Sequence, residues 1–256
     1  MTQEHKIKCL IIAAGMGNRL NALTSDLPKC MLAFGDKTLL ERQLQAYREN
    51  GITDISLIRG FKKEKINYPG LTYYENPDYR DNNILSSLMC AEDAINQHIV
   101  ISYSDILFES RIVSRLLQSD HDISIVVDID WRGYYVGRRD HPVEEAESVI
   151  FDANNHVVDI GKIFASKQDV HGEFIGMMKL SPRGAKIFKS HYHVAHQLYD
   201  GKLFKRSPEF RKAYLTDMIQ YMTDMGVQVH CVIIERGWKE IDTVEDYEKA
   251  LQEFEH

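Results

Sequence analysis

Residues 8–20 read KCLIIAAGMGNRL, and Pro28-Lys29 follows after a short interval. The apolar run 10–14 has the length of a strand that is buried on both faces, and it stops at two glycines separated by one residue. Glycine allows the backbone to turn tightly, so several peptide N–H groups can point at one anion. Because Arg19 and Lys29 follow the turn, this stretch predicts a buried strand that leads into a cradle for a polyphosphate.

Two common phosphate-binding motifs do not fit this stretch. The dinucleotide-binding fingerprint would need a third glycine where Leu20 stands, and no Gly-Lys-Ser/Thr completes a P-loop. A strand followed by Gly-x-Gly is a weak signal, because an ordinary strand-to-loop turn has the same pattern. The full string AAGMGNRL at 13–20, followed by Pro28-Lys29, is much more specific. It resembles the signature loop of the nucleotidyltransferases that activate sugar phosphates and related phosphorylated small molecules.

The composition is that of an ordinary globular protein. The chain has 256 residues, of which 44% are hydrophobic and 27% charged, and its net charge of −7 argues against a general nucleic-acid binder. Four cysteines without CxxC spacing indicate neither a zinc site nor a disulfide framework. The start of the chain lacks the apolar region of a signal peptide, and no apolar run approaches the length of a membrane span. We therefore expect a cytoplasmic enzyme without a membrane partner, and a homo-oligomer stays open.

Strand and helix patterns alternate along the chain. Their order predicts a parallel sheet with right-handed crossovers. Together with the resemblance, it implies an α/β, three-layer Rossmann-like nucleotidyltransferase fold, with a mostly parallel mixed sheet and an inserted β-hairpin. We expect one domain over 1–256, with a nucleotide-binding half at about 1–128 and an acceptor-binding half at about 129–256. The periodicity predicts helices over 39–50, 86–95, 183–197, 214–225 and 244–254, strands over 55–58, 71–74, 98–102, 123–128, 174–180 and 227–234, and a hairpin from 148–151 and 157–160.

Two aspartates are candidates for a metal site. Asp105 directly follows the predicted strand 98–102, and ligands of open α/β sheets bind beyond the carboxyl ends of the strands. An aspartate there can hold Mg²⁺ beside a triphosphate, although an isolated aspartate more often caps a turn or helix. Asp242 precedes Thr243 and Asp246, which resemble a capping box, so it would be stabilised by the helix dipole. The resemblance instead implies that both aspartates are metal ligands.

Two further segments carry polar candidates. The amides and hydroxyls of 82–87 either cap the helix that follows or hydrogen-bond a base or ribose. The segment 130–147 is rich in Trp, Tyr, Arg, His and Glu without a helix or strand period, and such loops more often carry binding than surface decoration. Lys162 follows the predicted hairpin and is either solvated or a ligand for the acceptor's phosphate. The histidines at 171, 191, 193 and 196 lack a carboxylate or cysteine at ligand spacing and indicate no zinc site.

Finer details resemble the cytidylyltransferases that act on phosphocholine or on phosphonates such as 2-aminoethylphosphonate. The matching strings are NNILSSL at 82–88, Asp130-Trp131, and Gly-Arg-x-x-His-Pro-x-x-Glu-Ala-Glu at 137–147. Sugar-phosphate members usually carry a Gln-Pro-x-Gly stretch before the metal aspartate, which is absent here. They also have glycine where this chain has Ser104, so a sugar-nucleotide function is less favoured.

The resemblance implies Mg²⁺-dependent transfer of CMP from CTP to a small phosphate or phosphonate, with release of pyrophosphate. An ammonium group on the acceptor would be held by aromatic rings and a glutamate. The alternatives are a sugar-1-phosphate nucleotidylyltransferase using UTP, dTTP or GTP, and a non-catalytic nucleotide-binding module. The implied roles are catalysis for Arg19, Lys29 and Lys162; nucleotide binding for Ala13, Ala14, Gly15, Gly17, Asn83, Ser87 and Ser104; acceptor binding for Trp131, Tyr135, Glu147, Glu173 and Trp238; and metal binding for Asp105 and Asp242.

Overall fold

A mixed nine-stranded sheet forms the centre of the computed structural model, which describes residues 6–162 and 169–254. The strands of the described chain are β1 (Lys8–Ala13), β2 (Ala33–Phe34), β3 (Lys37–Thr38), β4 (Asp54–Arg59), β5 (Thr72–Glu75), β6 (Ile99–Tyr103), β7 (Ile106–Phe108), β8 (Ile123–Asp128), β9 (Ser148–Phe151), β10 (Val157–Gly161), β11 (Gly172–Leu180), β12 (His230–Ile234) and β13 (Trp238–Glu240). The α-helices are α1 (Leu39–Glu49), α2 (Ile84–Met89), α3 (Ser110–Leu117), α4 (Pro182–Tyr199), α5 (Leu215–Asp224) and α6 (Val244–Phe254).

The predicted first strand lies in the middle of the sheet. β1 pairs in parallel with β4 on one side and with β6 on the other, and β5 extends the sheet beyond β4. β11 runs antiparallel between β6 and β8, and β12 pairs in parallel with β8. The β9–β10 hairpin joins through the first residues of β11. The strands β5, β4, β1, β6, β8 and β12 therefore share one direction, which confirms a mostly parallel mixed sheet with an inserted hairpin.

Two apolar layers cover the faces of this sheet. Side chains of a strand alternate between faces. Leu10 and Ile12 accordingly belong to the apolar cluster that includes residues of α2, α4 and α5, whereas Cys9 and Ile11 belong to the cluster that includes residues of α1 and α3. All four side chains are buried. Helices on both faces confirm the predicted three-layer α/β fold. No helix in 6–162 or 169–254 combines the length and apolarity that a membrane crossing requires.

The predicted helix over 86–95 is wrong in its second half. α2 ends at Met89, and a separate 3₁₀ turn, Glu92–Ala94, follows it. The Asn96 side-chain amide donates to the carbonyl of Asp93 at 2.7 Å and closes this second turn. The sequence analysis also missed α3 and the short pair β7–β13, and this pair shapes the site described next.

Candidate active site

The loop after β1 forms one wall of a cleft at the carboxyl ends of β1 and β6. Gly17 has φ 64°, a left-handed conformation that glycine adopts without strain. The Thr24 hydroxyl donates to the Gly17 carbonyl at 2.8 Å and fixes the turn. A Cβ at Gly17 would lie 3.4 Å from the Lys29 side chain, so Lys29 packs directly against the turn. The residues predicted to bind the nucleotide all line this cleft: Ala13, Ala14, Gly15, Gly17, Asn83, Ser87 and Ser104.

The capping alternative for the segment 82–87 is confirmed at Asn83. Its Oδ1 accepts the Ile84 N–H at 2.9 Å, and its Nδ2 donates to the carbonyl of Lys212 at 3.0 Å. Ser87 is buried, donates to the Asn83 carbonyl at 3.1 Å and accepts from the Asn76 amide at 2.8 Å. Asn83 therefore both caps α2 and lines the cleft. The hydrogen bonds at the start of α2 also hold Ser87 at the cleft wall.

Lys29 stands at the centre of a charged cluster. Its Nζ donates to Asp105 Oδ2 at 2.9 Å and also to Asp242 Oδ1, while Arg19 donates to the other oxygen of Asp242. Burial opposes the charge on Lys29, but the two carboxylates outweigh it and raise the pKa of the ammonium. Burial likewise opposes the charge on Asp242, but Lys29 and Arg19 outweigh it and hold the pKa well below its usual range. Lys29 and Asp242 are therefore both charged at neutral pH.

The oxygen atoms around Lys29 fit a hard divalent cation. Asp105 Oδ1 is buried and has no hydrogen-bond partner within the described residues, an arrangement that is costly unless another ligand binds it. His141, Glu240 and Asp242 place ligand atoms within 4.8 Å of one another beside it. Burial, then the charge of Arg138, lowers the pKa of His141 to about 4, so its ring is neutral. Carboxylate oxygens are the ligands that Mg²⁺ prefers, and the predicted pair Asp105 and Asp242 supplies them.

The two aspartates are brought together by the short β7–β13 pair. Glu240 in β13 pairs with Ile106 in β7, and the Ile241 N–H donates to the carbonyl of Asp105 at 2.8 Å. The predicted capping box at the start of α6 is confirmed: Thr243 N–H donates to Asp246 Oδ2 at 2.9 Å and Asp246 N–H donates to Thr243 Oγ1 at 3.2 Å. Backbone pairing and helix capping together therefore set the position of Asp242.

The inserted segment 129–147 is tied to the same cap by a buried ion pair. Arg138 Nε donates to Asp246 Oδ1 at 2.6 Å and its Nη2 donates to Oδ2 at 2.9 Å. Both side chains are 1% exposed. Two parallel hydrogen bonds between a guanidinium and a carboxylate are strong and orient both groups, so Arg138 connects this segment to the residues that place Asp242.

We expect Arg138→Met to destabilise the protein by roughly 3–5 kcal/mol, because the Asp246 carboxylate would remain buried without its partner. Urea unfolding followed by circular dichroism measures this change. Arg139→Met is the matched control, since Arg139 is the adjacent residue and is exposed. Equal unfolding midpoints for the two variants would contradict a structural role for the Arg138–Asp246 pair.

A second cleft continues from the first, and the two share Asn83, Ile84, Tyr103 and Asp105. Lys162 lies in it with its ammonium 3.1 Å from Glu145 Oε2 and 4.8 Å from the centre of the Tyr214 ring. Burial opposes the charge on Lys162, but nearby Glu147 and Tyr214 raise its pKa. The charged and aromatic residues lining this cleft include Arg19, Tyr103, Glu145, Glu147, Lys162, Glu173, Tyr214, Trp238 and Glu240.

Two glutamates of the second cleft have no cationic hydrogen-bond partner among the described residues. Glu147 accepts from the Tyr103 hydroxyl at 3.2 Å, and Glu173 Oε1 accepts from the Tyr135 hydroxyl at 2.5 Å. Glu173 Oε2 is buried and has no hydrogen-bond partner in 6–162 or 169–254. Burial raises the pKa of Glu147 to about 7 and that of Glu173 to about 8. A ligand cation in this cleft would favour the charged carboxylates.

The three aromatic residues predicted to contact the acceptor lie in different places. Trp238 lines the second cleft, and its indole N–H donates to Asp128 Oδ2 at 2.8 Å. Trp131 is 2% exposed and packs in a separate apolar cluster with Tyr135, so neither ring lines the cleft. Tyr135 reaches the site only through its hydroxyl bond to Glu173, which orients that carboxylate.

Gly176 lets Tyr103 lie against β11. The strand is irregular between Phe174 and Met178, and Gly176 has φ 80°. A Cβ at this position would lie 2.4 Å from the Tyr103 ring. We expect Gly176→Ala to destabilise the protein by about 2–4 kcal/mol through backbone strain and this clash, as measured by urea unfolding. Gly133→Ala is the control because open space surrounds that position, and equal stabilities would contradict the clash.

Several residues of the site were not predicted. Glu240 stands two positions before Asp242, and the alternation of a strand would have placed both on one face. His141 and Glu145 belong to the quoted string at 137–147, but nothing in their spacing distinguishes a cleft residue from an exposed one. Tyr214 precedes an ordinary core helix and carries no sequence signal at all.

Comparison with known proteins gives the family. Residues 9–168 match the family model described as the MobA-like NTP transferase domain, which is more than half of the chain. The CTP:phosphoglutamine cytidylyltransferase of Campylobacter jejuni subsp. jejuni serotype O:2 is 26% identical over 96% of this chain and 100% of that protein. The choline-phosphate cytidylyltransferase of Streptococcus pneumoniae is 32% identical, over 45% of this chain and 52% of its own length.

A solved structure of CTP:phosphocholine cytidylyltransferase from Streptococcus pneumoniae has the same fold. It matches with a TM-score of 0.70 at 22% identity and covers 96% of this chain and 98% of that one. The family match and the full-length relative agree with the signature loop at 13–20 and with the cleft that the loop lines. The chain therefore belongs to the MobA-like NTP transferase family and is a nucleotidyltransferase.

Proposed function

We propose that this nucleotidyltransferase transfers CMP from CTP to a small phosphate or phosphonate that carries a positively charged amino group, and that pyrophosphate is released. The observation that carries the proposal is the buried Glu173 carboxyl, whose Oε2 lacks a partner among the described residues in a cleft that also contains Lys162. One part of the cleft thus supplies positive charge for a phosphate, and another offers carboxyl groups for a cation.

The first cleft is suited to the triphosphate. Gly15 faces open space, so a phosphate can approach the backbone of the loop, and Lys29 and Arg19 carry positive charge beside it. Phosphoryl transfer depends on positioning and on charge stabilisation. In our proposal Arg19, Lys29 and the loop N–H groups stabilise the charge on the pyrophosphate that leaves.

Asp105 and Asp242 would hold Mg²⁺, whose Lewis acidity supplies charge neutralisation at the reacting phosphate. Lys162 lines the second cleft and would bind the phosphate or phosphonate of the acceptor. Because an acceptor oxygen attacks phosphorus directly, the proposed reaction needs no serine or cysteine nucleophile. Asn83 lines both clefts and marks the region where the two substrates would meet.

CTP is the proposed donor because the full-length relative and the partial relative from Streptococcus pneumoniae are both cytidylyltransferases. The acceptor is inferred from the carboxyl groups. A primary ammonium can donate hydrogen bonds to Glu173 Oε2, whereas a trimethylammonium group has no N–H to donate. We therefore expect acceptors with N–H groups to be preferred over phosphocholine.

Pyrophosphate release tests this proposal directly. CTP, UTP, dTTP, GTP and ATP are each combined, in the presence of Mg²⁺, with phosphocholine, phosphoethanolamine, 2-aminoethylphosphonate and several sugar 1-phosphates. We expect turnover with CTP and an amino-bearing acceptor. If CTP is used only with acceptors that lack a positively charged group, the ammonium pocket is refuted and the assignment of CTP as donor stands.

Sugar 1-phosphates remain the second candidate class. A relative from Haloferax volcanii, described as a UTP–glucose-1-phosphate uridylyltransferase, is 25% identical over 49% of this chain and 56% of its own length. The buried glutamates favour a cationic acceptor over a neutral sugar, because a cation would stabilise the carboxylate form that burial disfavours. Turnover with UTP and glucose 1-phosphate in the same assay would favour this second class.

A further inference from the structure

Three histidines that the sequence analysis did not single out converge away from the active site. His121 lies between α3 and β8, His156 lies just before β10, and His230 begins β12. One ring nitrogen from each lies within 4.8 Å of the others. The His121 and His230 rings are stacked with centres 3.8 Å apart, and the His156 ring is 6.0 Å from each of them.

The backbone holds two of these histidines side by side. His156 and His230 form an isolated antiparallel bridge, and the Val157 N–H donates to the carbonyl of Val229 at 2.9 Å. The chain that carries His121 continues into β8, which pairs in parallel with β12. Strand pairing between segments that are distant in sequence therefore brings the three rings together. They are not neighbours within one loop.

Carboxylate support for one ring is also present. Asp152 Oδ2 lies 3.6 Å from His156 Nδ1, slightly beyond hydrogen-bond length, so a small rotation of the ring would let Nδ1 donate to the carboxylate and leave Nε2 for another ligand. Asp152 Oδ1 in turn accepts the N–H groups of Asn154 and His156, each at 2.8 Å, so the carboxylate is fixed. A carboxylate behind an imidazole is the usual outer partner of a metal-binding histidine, because it orients the ring and raises its basicity.

The ring of His230 is suited to ligation. Its Nδ1 is buried and has no hydrogen-bond partner within the described residues. Burial, followed by the proximity of His121 and His156, lowers the pKa of His230 and so favours the neutral form of its ring. Neutral imidazole is the form that binds a metal ion.

We propose that His121, His156 and His230 form a site for a borderline transition-metal ion such as Zn²⁺, Co²⁺ or Ni²⁺. Zinc–nitrogen bonds of about 2.0–2.1 Å place tetrahedral ligand atoms about 3.3 Å apart, so nitrogens that lie within 4.8 Å of one another have to approach by at most about 1.5 Å. The His121 ring would also have to turn out of its stacked position, because the nitrogen lone pairs of two parallel rings do not point at one ion. His121 is exposed and has room to turn, and water would complete the coordination.

This site is separate from the nucleotide site. His230 begins β12, whereas the carboxyl end of β12 leads toward Trp238 and the acceptor cleft. From His230 to Ile234, the four steps along β12 span about 13 Å at the usual rise of a strand. A metal ion bound by the three histidines would cross-link the β9–β10 hairpin to β12 and to the segment that precedes β8. Because Lys162 follows β10, the proposed ion would steady the segment that carries this lysine, without contact with the substrates.

Metal binding to the tag-free protein tests the proposal. The protein is stripped with a chelator, and Co²⁺ or Zn²⁺ is added in the presence of excess Mg²⁺, which occupies carboxylate sites. We expect about one equivalent of Co²⁺ per chain, with visible absorption typical of low coordination number, and a melting temperature higher by about 5 °C at saturation with Zn²⁺. Wild-type protein that binds no equivalent under these conditions would overturn the proposal.

Variants separate this site from other metal-binding groups. His121→Ala removes an exposed ring and leaves the strand pairing intact, and we expect it, like His156→Ala, to lose the bound equivalent and the melting shift. His193→Ala is the control, because His193 is an exposed histidine on α4 that contacts Glu92 and should retain both signals. Asp242→Asn should also retain the Co²⁺ equivalent. Unchanged binding in His121→Ala and His156→Ala, or loss of the equivalent in Asp242→Asn, would contradict the site.

Discussion

Replacement of Asp242 with asparagine is expected to lower kcat by about a factor of 10³, which is the upper range for removal of one preorganised electrostatic contact. Asp242 binds both Lys29 and Arg19 through its two oxygens, so an amide would disturb both cations at once. If Asp242 also holds Mg²⁺ as we propose, the variant should need a higher Mg²⁺ concentration for half-maximal activity.

The kinetics are measured as pyrophosphate release over a Mg²⁺ titration. Asp26→Asn is the control, because Asp26 is 68% exposed and pairs with Lys62 on the surface. We expect the control to show wild-type kinetics and both proteins to keep a folded circular dichroism spectrum. An Asp242→Asn variant with the wild-type kcat and the wild-type Mg²⁺ dependence would exclude Asp242 from the reaction centre.

The convergence of Asp105 and Asp242 shows what the sequence could and could not predict. The first strand, the glycine turn and the cap at Thr243 were recognisable because each depends on residues only a few positions apart. β7 and β13 have three residues each, too few to show alternation. Their pairing depends on neighbours far away in sequence, and only the resemblance to nucleotidyltransferases predicted two aspartates at one site.

The glutamates of the second cleft illustrate a different limit. Glu147 and Glu173 were chosen as counter-charges for an ammonium group, and both line the cleft. The residue type alone gives no information on burial, and burial is what raises both pKa values. Residue type also gave no information on the burial of the three predicted aromatic contacts, Trp131, Tyr135 and Trp238. Trp131 and Tyr135 pack in an apolar cluster, and of the three only the Trp238 ring lines the cleft.

Glu173→Gln is expected to raise the KM for an amino-bearing acceptor by about 10²-fold, as the loss of one partner of a buried charge pair does. The KM for CTP should change little, because Glu173 lines the second cleft and not the first. Glu248→Gln, a change at an exposed residue of α6, is the control for the loss of one negative charge. Equal acceptor KM values in all three proteins would exclude Glu173 as the ammonium partner.

The same substitution should alter how stability depends on pH. Burial raises the pKa of Glu173 from its usual 4.5 to about 8, so the folded protein binds this proton more tightly than the unfolded chain does. The stability that the folded protein gains from this protonated carboxyl is complete below pH 4.5 and is lost as the pH rises through 8. At pH 8.5 we expect Glu173→Gln to be more stable than the wild type by as much as about 4 kcal/mol, and at pH 5 the advantage should have largely disappeared.

Binding of the acceptor should also release a proton, which connects the expected change in acceptor KM with the raised pKa of Glu173. In the free protein at pH 7 the Glu173 carboxyl is mostly protonated, because its pKa is about 8. A bound ammonium favours the carboxylate, so binding should release close to one proton from Glu173. Calorimetry in buffers of different ionisation enthalpy measures that number, and Glu173→Gln should lack this contribution. Binding with the same proton count in both proteins would mean that the acceptor's cation lies elsewhere, even if the KM of the variant were raised.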